Sequence, residues 1–242
     1  MKRIDLNDKQ KSDANAILSK YTKYFNFSKN KEDAYKFTNI IGVKICPYCN
    51  IEYIYTVFDE NGEPIFRPDI DHFIPNNSKT GNPELQLEIE NLIPSCTVCN
   101  ERLKRDIPFS KQEYIHPYFD DFDSIMTFYV DIKGCDYLSE ENFDIRIGSK
   151  RSAEDGDVRR AERNISIFKL RERYQFHKDV VVNLFKRIAY YNADKQNEIL
   201  DILGDKKYIP NIRFLFPEKY NDINNTSLGK LKKDITTKYL NF

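Results

Sequence analysis

Apolar positions recur at steps of three and four in the N-terminal part of the chain. Ala14, Ile17, Leu18, Tyr21, Tyr24 and Phe25 form one stripe, and Ala34, Tyr35, Phe37 and Ile40 form another within Glu32–Ile41. This spacing predicts two helices, the second stopped at Gly42. The period then changes. Ile51–Phe58 is rich in β-branched and aromatic residues and Ile65–Phe73 resumes that character, with Asn61-Gly62 between them; together they predict a hairpin. Asn76–Pro83 is a polar loop. A short strand is expected at Asn91–Pro94, followed by a helix over Cys96–Arg105 that ends at Asp106-Ile107-Pro108. Ile125–Ile132 and Phe143–Ile147 read as a further strand pair with Gly134 near the connection.

Helical spacing returns in Ser152–Gly204, through Ile167, Leu170 and Tyr174 and then Val181, Leu184, Phe185 and Ile188. Pro210–Phe242 is mixed and Asn-rich, with a helix expected near Ser227–Tyr239 and low order at the end. The expected fold is α+β. Residues 1–41 supply N-terminal helices, 42–108 a compact core, 109–150 an acidic segment with a strand pair, and 151–242 a mainly helical C-terminal region.

Charge changes this picture little at the level of the whole chain. Lys+Arg and Asp+Glu are both 38 in 242 residues, so there is no overall basic field of the kind that marks many nucleic-acid binders. The distribution is uneven. Glu113–Asp144 carries nine acidic residues against one lysine, and Arg146–Lys178 carries ten basic residues against five acidic. Either block reads as a solvated face; the acidic one also reads as a docking or self-shielding element. Met1–Gln10 is charged, and no apolar run approaches the ~18 residues of a membrane helix. A cytoplasmic protein with no membrane association is expected.

Five cysteines are present, four of them as Cys46-Pro47-Tyr48-Cys49 and Cys96-Thr97-Val98-Cys99. In a reducing compartment two such pairs predict a metal site rather than disulfides. Four thiolates fill the tetrahedral shell of Zn²⁺, so this zinc is structural and ties the strands to the following helix. A redox role is a poor fit, because neither pair sits in a βαβ pattern. Cys135 is left over as a free thiol.

Chemistry then requires other residues. Asp71 offers a hard oxygen ligand and Asn100 an amide oxygen, both suited to Mg²⁺ or Mn²⁺. His72, next to Asp71, titrates near neutrality and suits a general base acting on water. Asn91 reads as a brace for the loop before the second cysteine pair. Arg102, Lys104 and Arg105 follow Asn100 on its helix and are expected to meet phosphates, with the basic tract Arg146–Lys178 extending the groove. Asp-His can also be a plain strand end, and the basic residues a solvent face.

The stretch from Ile41 to Arg105 resembles the zinc-containing HNH branch of the ββα-metal endonucleases. The resemblance implies a small ββα-metal core stapled by Cys46, Cys49, Cys96 and Cys99. It implies His72 as general base, Asp71 and Asn100 as ligands of the catalytic metal, and Asn91 as the middle Asn that orders the loop. The last position, His or Asn in different branches, makes this a His-Asn-Asn variant. Tyr35 and His116-Pro117-Tyr118 resemble bacterial HNH proteins more weakly, many of them in anti-phage defence or restriction. By resemblance the substrate is DNA, and a partner such as an ATPase or sensor subunit is expected. The alternative is a zinc-ribbon nucleic-acid-binding or scaffold subunit whose nuclease site is silent.

Overall fold

A computed structural model describes residues 1–21, 31–77, 79, 81–190, 198, 201–202 and 223–239. Helix α1 spans Asp8–Leu18 and starts at a capping box, in which the Asn7 side chain accepts from the Gln10 N–H and Gln10 reaches back to the Asn7 N–H. Helix α2 spans Lys31–Ile41 and stops at Gly42, whose φ of 68° an L side chain rarely adopts. Tyr24 and Phe25 of the first stripe, most of the helical stretch expected over 191–204 and the low order expected at the end lie outside the described residues, whereas the helix expected near Ser227–Tyr239 is formed.

The strands are shorter than the sequence pattern implies. Val57–Phe58 (β1) pairs with Pro64–Phe66 (β2) across a tight turn, with Gly62 at φ 83°. Ile51–Phe58 is therefore mostly not strand; before β1 only an Ile45–Tyr53 bridge is formed. The run Ile65–Phe73 splits at Arg67-Pro68, because proline has no N–H for a ladder. Asp69–His72 (β3) then pairs antiparallel with Leu92–Ser95 (β4), in the register Asp69↔Ser95, Ile70↔Pro94, Asp71↔Ile93 and His72↔Leu92.

Val98–Lys104 follows as a π-type helical turn. It is closed by the Arg105 N–H donating to the Asn100 carbonyl five residues earlier at 2.8 Å. The helix ends at Arg105, at φ 51°, just before the proline expected to end it. Its wider turn is a form often found where a side chain must be re-aimed.

A short helix, Phe122–Ile125 (α3), precedes the longest ladder. There Met126–Ile132 (β5) pairs with Phe143–Ser149 (β6), Met126 facing Ser149 and Ile132 facing Phe143. Helices α4 (Asp155–Ile167), α5 (Leu170–Tyr174), α6 (Lys178–Tyr190) and α7 (Gly229–Tyr239) complete the architecture.

One large apolar core joins the cysteine pairs to β5, β6 and helices α4 to α7. A smaller one gathers α1 and α2 around Ile70, Ile89 and Leu92. The β3–β4 hairpin sits between the two, with Ile70 and Leu92 in the small core and Phe73 and Ile93 in the large one. The acidic segment and the C-terminal helices thus share a core with the cysteine pairs.

Several ion pairs link the two charge blocks. Arg160 pairs with Asp120 at 2.5 Å and Arg163 with Glu113 at 3.1 Å, and Lys178 with Asp144 at 3.3 Å. Asp123 is held by Lys230 at 2.9 Å and by Lys233. These ion pairs tie up part of the charge of each block.

Candidate functional site

The four cysteines converge at the foot of the β3–β4 hairpin. All are buried, and their sulfurs lie within 4.8 Å of one another. A tetrahedral Zn²⁺ with bonds of about 2.3 Å has sulfur–sulfur edges of about 3.8 Å, and the Cys49–Cys96 separation is 4.0 Å. The cluster can therefore hold an ion such as zinc with small side-chain adjustments. Its surroundings suit thiolates. The backbone N–H of Cys96 donates to the Cys46 sulfur, that of Cys99 to Cys96, and that of Ile51 to Cys49, at 3.4, 3.4 and 3.5 Å. Arg173, from α5, points a guanidinium N–H at the Cys99 sulfur at 3.4 Å. Its charge offsets the excess negative charge of four thiolates around a dication, the outer support that metal sites use. Cys135 is exposed and stands apart.

The first cysteine turn also reaches the hairpin. Tyr48, between Cys46 and Cys49, stacks on Phe168 with centroids 4.6 Å apart and donates to Asp71 Oδ2 at 2.6 Å. Burial raises the tyrosine's pKa and the adjacent Asp71 raises it further, so Tyr48 stays a donor. The other carboxylate oxygen accepts from Lys104 Nζ at 2.9 Å, and the same ammonium donates to the His72 carbonyl at 2.7 Å. Asp71 and Lys104 are 3% and 1% exposed. Burial pushes the Asp71 carboxyl above its usual range, against the pull of Lys104 and Tyr48.

Lys104 is thereby corrected from an expected phosphate contact to a buried partner of Asp71. The arrangement does not fit a divalent metal on Asp71: both oxygens are engaged, one of them by a cation. Arg102 and Arg105 are exposed, as a phosphate-facing role requires.

His72 is partly buried. Its Nε2 lies 3.2 Å from the Gln86 carbonyl. In the neutral ring that bond assigns the proton to Nε2 and the lone pair to Nδ1. Burial lowers the imidazole's pKa, the Gln86 bond opposes this, and Lys104 lowers it further. The ring is therefore predominantly neutral at pH 7, the state a base requires.

Asn91 braces the intervening loop. Its Oδ1 accepts from the Ile74 N–H at 2.7 Å, and its Nδ2 donates to the Ile74 and Leu85 carbonyls at 3.0 and 3.1 Å. Gly81 makes the same loop possible, because a Cβ there would stand 1.6 Å from the Pro75 carbonyl oxygen. Asn100 lies half-buried one helical turn before Lys104, on the segment that packs against β3.

The sequence pattern did not single out Tyr48 or Arg173, whereas His116, outside the motif, reads there as a structural or surface residue. Tyr48 had a signal, its position inside the first cysteine pair. Arg173 had none, because its role depends on how α5 packs. His116 is buried against Phe73 at 4.1 Å between centroids. Its pKa is lowered to about 3 by burial and by nearby Lys111, so it is a neutral packing group beside the hairpin.

Compared with known proteins, the chain matches no family model, and no curated protein or solved structure is significantly similar to it. Among the described residues no helix is long and apolar enough to cross a membrane.

Proposed function

We propose that the chain is an HNH-like endonuclease that hydrolyses phosphodiester bonds of DNA, with His72 as general base. The observation that carries the reading is the placing of the His72 ring, whose Nε2 lies 3.2 Å from the Gln86 carbonyl. Gln86 fixes its tautomer, at the edge of a hairpin that Asn91 braces and the cysteine cluster anchors. In this reaction a water proton passes to His72 Nδ1 as the water oxygen attacks phosphorus. The bond from phosphorus to the leaving sugar oxygen breaks, and solvent returns a proton to that oxygen. Arg102 and Arg105 grip the strand, and a protein partner such as an ATPase or sensor subunit directs the enzyme. Mg²⁺ or Mn²⁺ would supply charge neutralisation at the phosphate, and on Asp71 either ion would first require Lys104 to withdraw.

The engagement of Asp71 favours a second reading, a zinc-stapled nucleic-acid-binding subunit with a silent site. Plasmid cleavage by the zinc-loaded chain in Mg²⁺, Mn²⁺ and EDTA separates the two. Cleavage lost in His72→Ala, with zinc content unchanged, supports the nuclease. No cleavage in any metal, with or without candidate partners, supports the silent module.

A further inference from the structure

A cleft of about 270 Å³ opens beside the cysteine cluster, between the segment after the first cysteine pair and the ends of β3 and β4. Its volume is at the low end of ligand pockets, roughly 300–1,000 Å³, so it suits one ring system. Tyr53, Tyr55 and Phe66 line it and are 52%, 44% and 48% exposed. The Tyr53 and Tyr55 rings are stacked, with centroids 5.5 Å apart. Large aromatic faces left open to solvent serve as platforms for flat ligands.

The floor is polar. Asp69 and Ser95 face each other in the β3–β4 register and both line the cleft. The Ser95 hydroxyl is on a residue with no exposed surface, and neither it nor the buried Asp69 Oδ2 has a hydrogen-bond partner. Buried polar groups in folded proteins are nearly always satisfied, so these two are matched to a ligand's edge. Arg67 also lines the cleft, its guanidinium donating to the Pro68 carbonyl at 2.7 Å.

We infer that this cleft is a nucleobase pocket and that its preferred base is guanine. A carboxylate accepts two hydrogen bonds side by side, and of the four DNA bases guanine alone presents adjacent N–H donors on its pairing edge. Adenine, cytosine and thymine place a ring or carbonyl acceptor beside their donor, which the second carboxylate oxygen repels. The Ser95 hydroxyl can donate to the guanine carbonyl, and the tyrosine and phenylalanine rings cover the base faces. Asp69 precedes His72 by three residues on one strand, roughly 10 Å at 3.3 Å per residue. Side chains alternate along a strand, so Asp69 and His72 stand on opposite faces of β3, and a base held here lies across the hairpin from His72. The inference goes beyond the nuclease reading, and the silent-module reading accommodates it equally.

The test is calorimetric titration of the zinc-loaded full chain with guanosine, adenosine, cytidine and thymidine, without cleavable DNA. Saturable guanosine binding is expected, with the other three at least about tenfold weaker. Asp69→Asn should cost guanosine about tenfold, and Tyr53→Ala should weaken all four nucleosides. Absence of guanosine binding, equal binding of all four, or an Asp69→Asn variant that folds, retains zinc and binds guanosine unchanged would overturn it. Because no bond is cleaved, the result is independent of the plasmid assay. A chain that binds guanosine and cuts nothing retains the pocket and loses only the nuclease reading.

Discussion

At the scale of single residues the decisive feature is the triad of Tyr48, Asp71 and Lys104. Removing one partner of a buried ion pair leaves the other charge uncompensated, at about 3–5 kcal/mol. Lys104→Met is expected to cost that much near neutral pH, measured by urea denaturation. The sign of its pH dependence follows from Asp71. Its folded-state carboxyl titrates above the unfolded one, so this group favours the fold most at low pH and contributes less as pH rises through the ordinary carboxylate range. Without Lys104 that decline steepens, and the variant should approach wild type near pH 4. A deficit that is the same at pH 4 and pH 7 would remove Asp71 from the account. For His72, burial lowers the imidazole's pKa. The acid limb of any cleavage profile should therefore fall at lower pH than for an ordinary histidine, and rates should be flat above it.

The secondary elements depend on cross-links more than on their own propensity. β3 and β4 are four residues each, too short to stand alone. The cysteine cluster and Asn91 hold their two ends. Asn91→Ala removes three hydrogen bonds and strands the Ile74 N–H, and about 2–3 kcal/mol is the expected loss. Hydrogen exchange should show it as faster exchange at Ile74 and Phe73, with the β5–β6 ladder protected. Gly81→Ala should loosen the same loop, since the Pro75 carbonyl must move to admit a Cβ. Zinc removal acts on a larger unit. A strong chelator should lower the melting temperature by more than about 10 °C, because structural zinc adds its binding free energy to folding.

Over the whole molecule, distant segments meet around the cysteine cluster and a second buried ion network. Asn50 follows Cys49 at φ 57°. Its side chain donates to the Ile223 carbonyl and accepts from the Lys230 N–H, both at 2.8 Å. The Tyr174 hydroxyl donates to the Cys49 carbonyl at 2.8 Å. At the same end of α7, Asp123 joins the acidic segment to Lys230 and Lys233. These ammonium groups hold its carboxyl well below the usual range, against the opposing effect of burial. A depressed folded-state pKa gives stability that is present above the unfolded pKa and is lost as pH falls through the folded one. Asp123→Asn should destabilise the chain at pH 7 and blunt its loss of stability below about pH 4, as thermal melts across pH would register.

Much of this was legible in the sequence because it is local. Helical spacing located α1, α2 and most of α4 to α6. Asn61-Gly62 located the first turn, and the paired cysteines located the buried cluster that could hold a metal ion, since two short turns at ligand spacing have few other uses. The positions of His72 and Asn91 followed from order along the chain. What the sequence could not state was which charges would be neutralised. Lys104 reads as a surface base beside Arg102 and Arg105, and only the π-type turn carries it inward to Asp71. The acidic and basic blocks read as two open faces, and only the packing of α4 and α6 pairs charges of one with charges of the other. Spacing specifies the elements and the ligands that one turn can bring together. The pairing of groups far apart in the chain is decided by packing, because burial makes an unpaired charge too costly to leave alone.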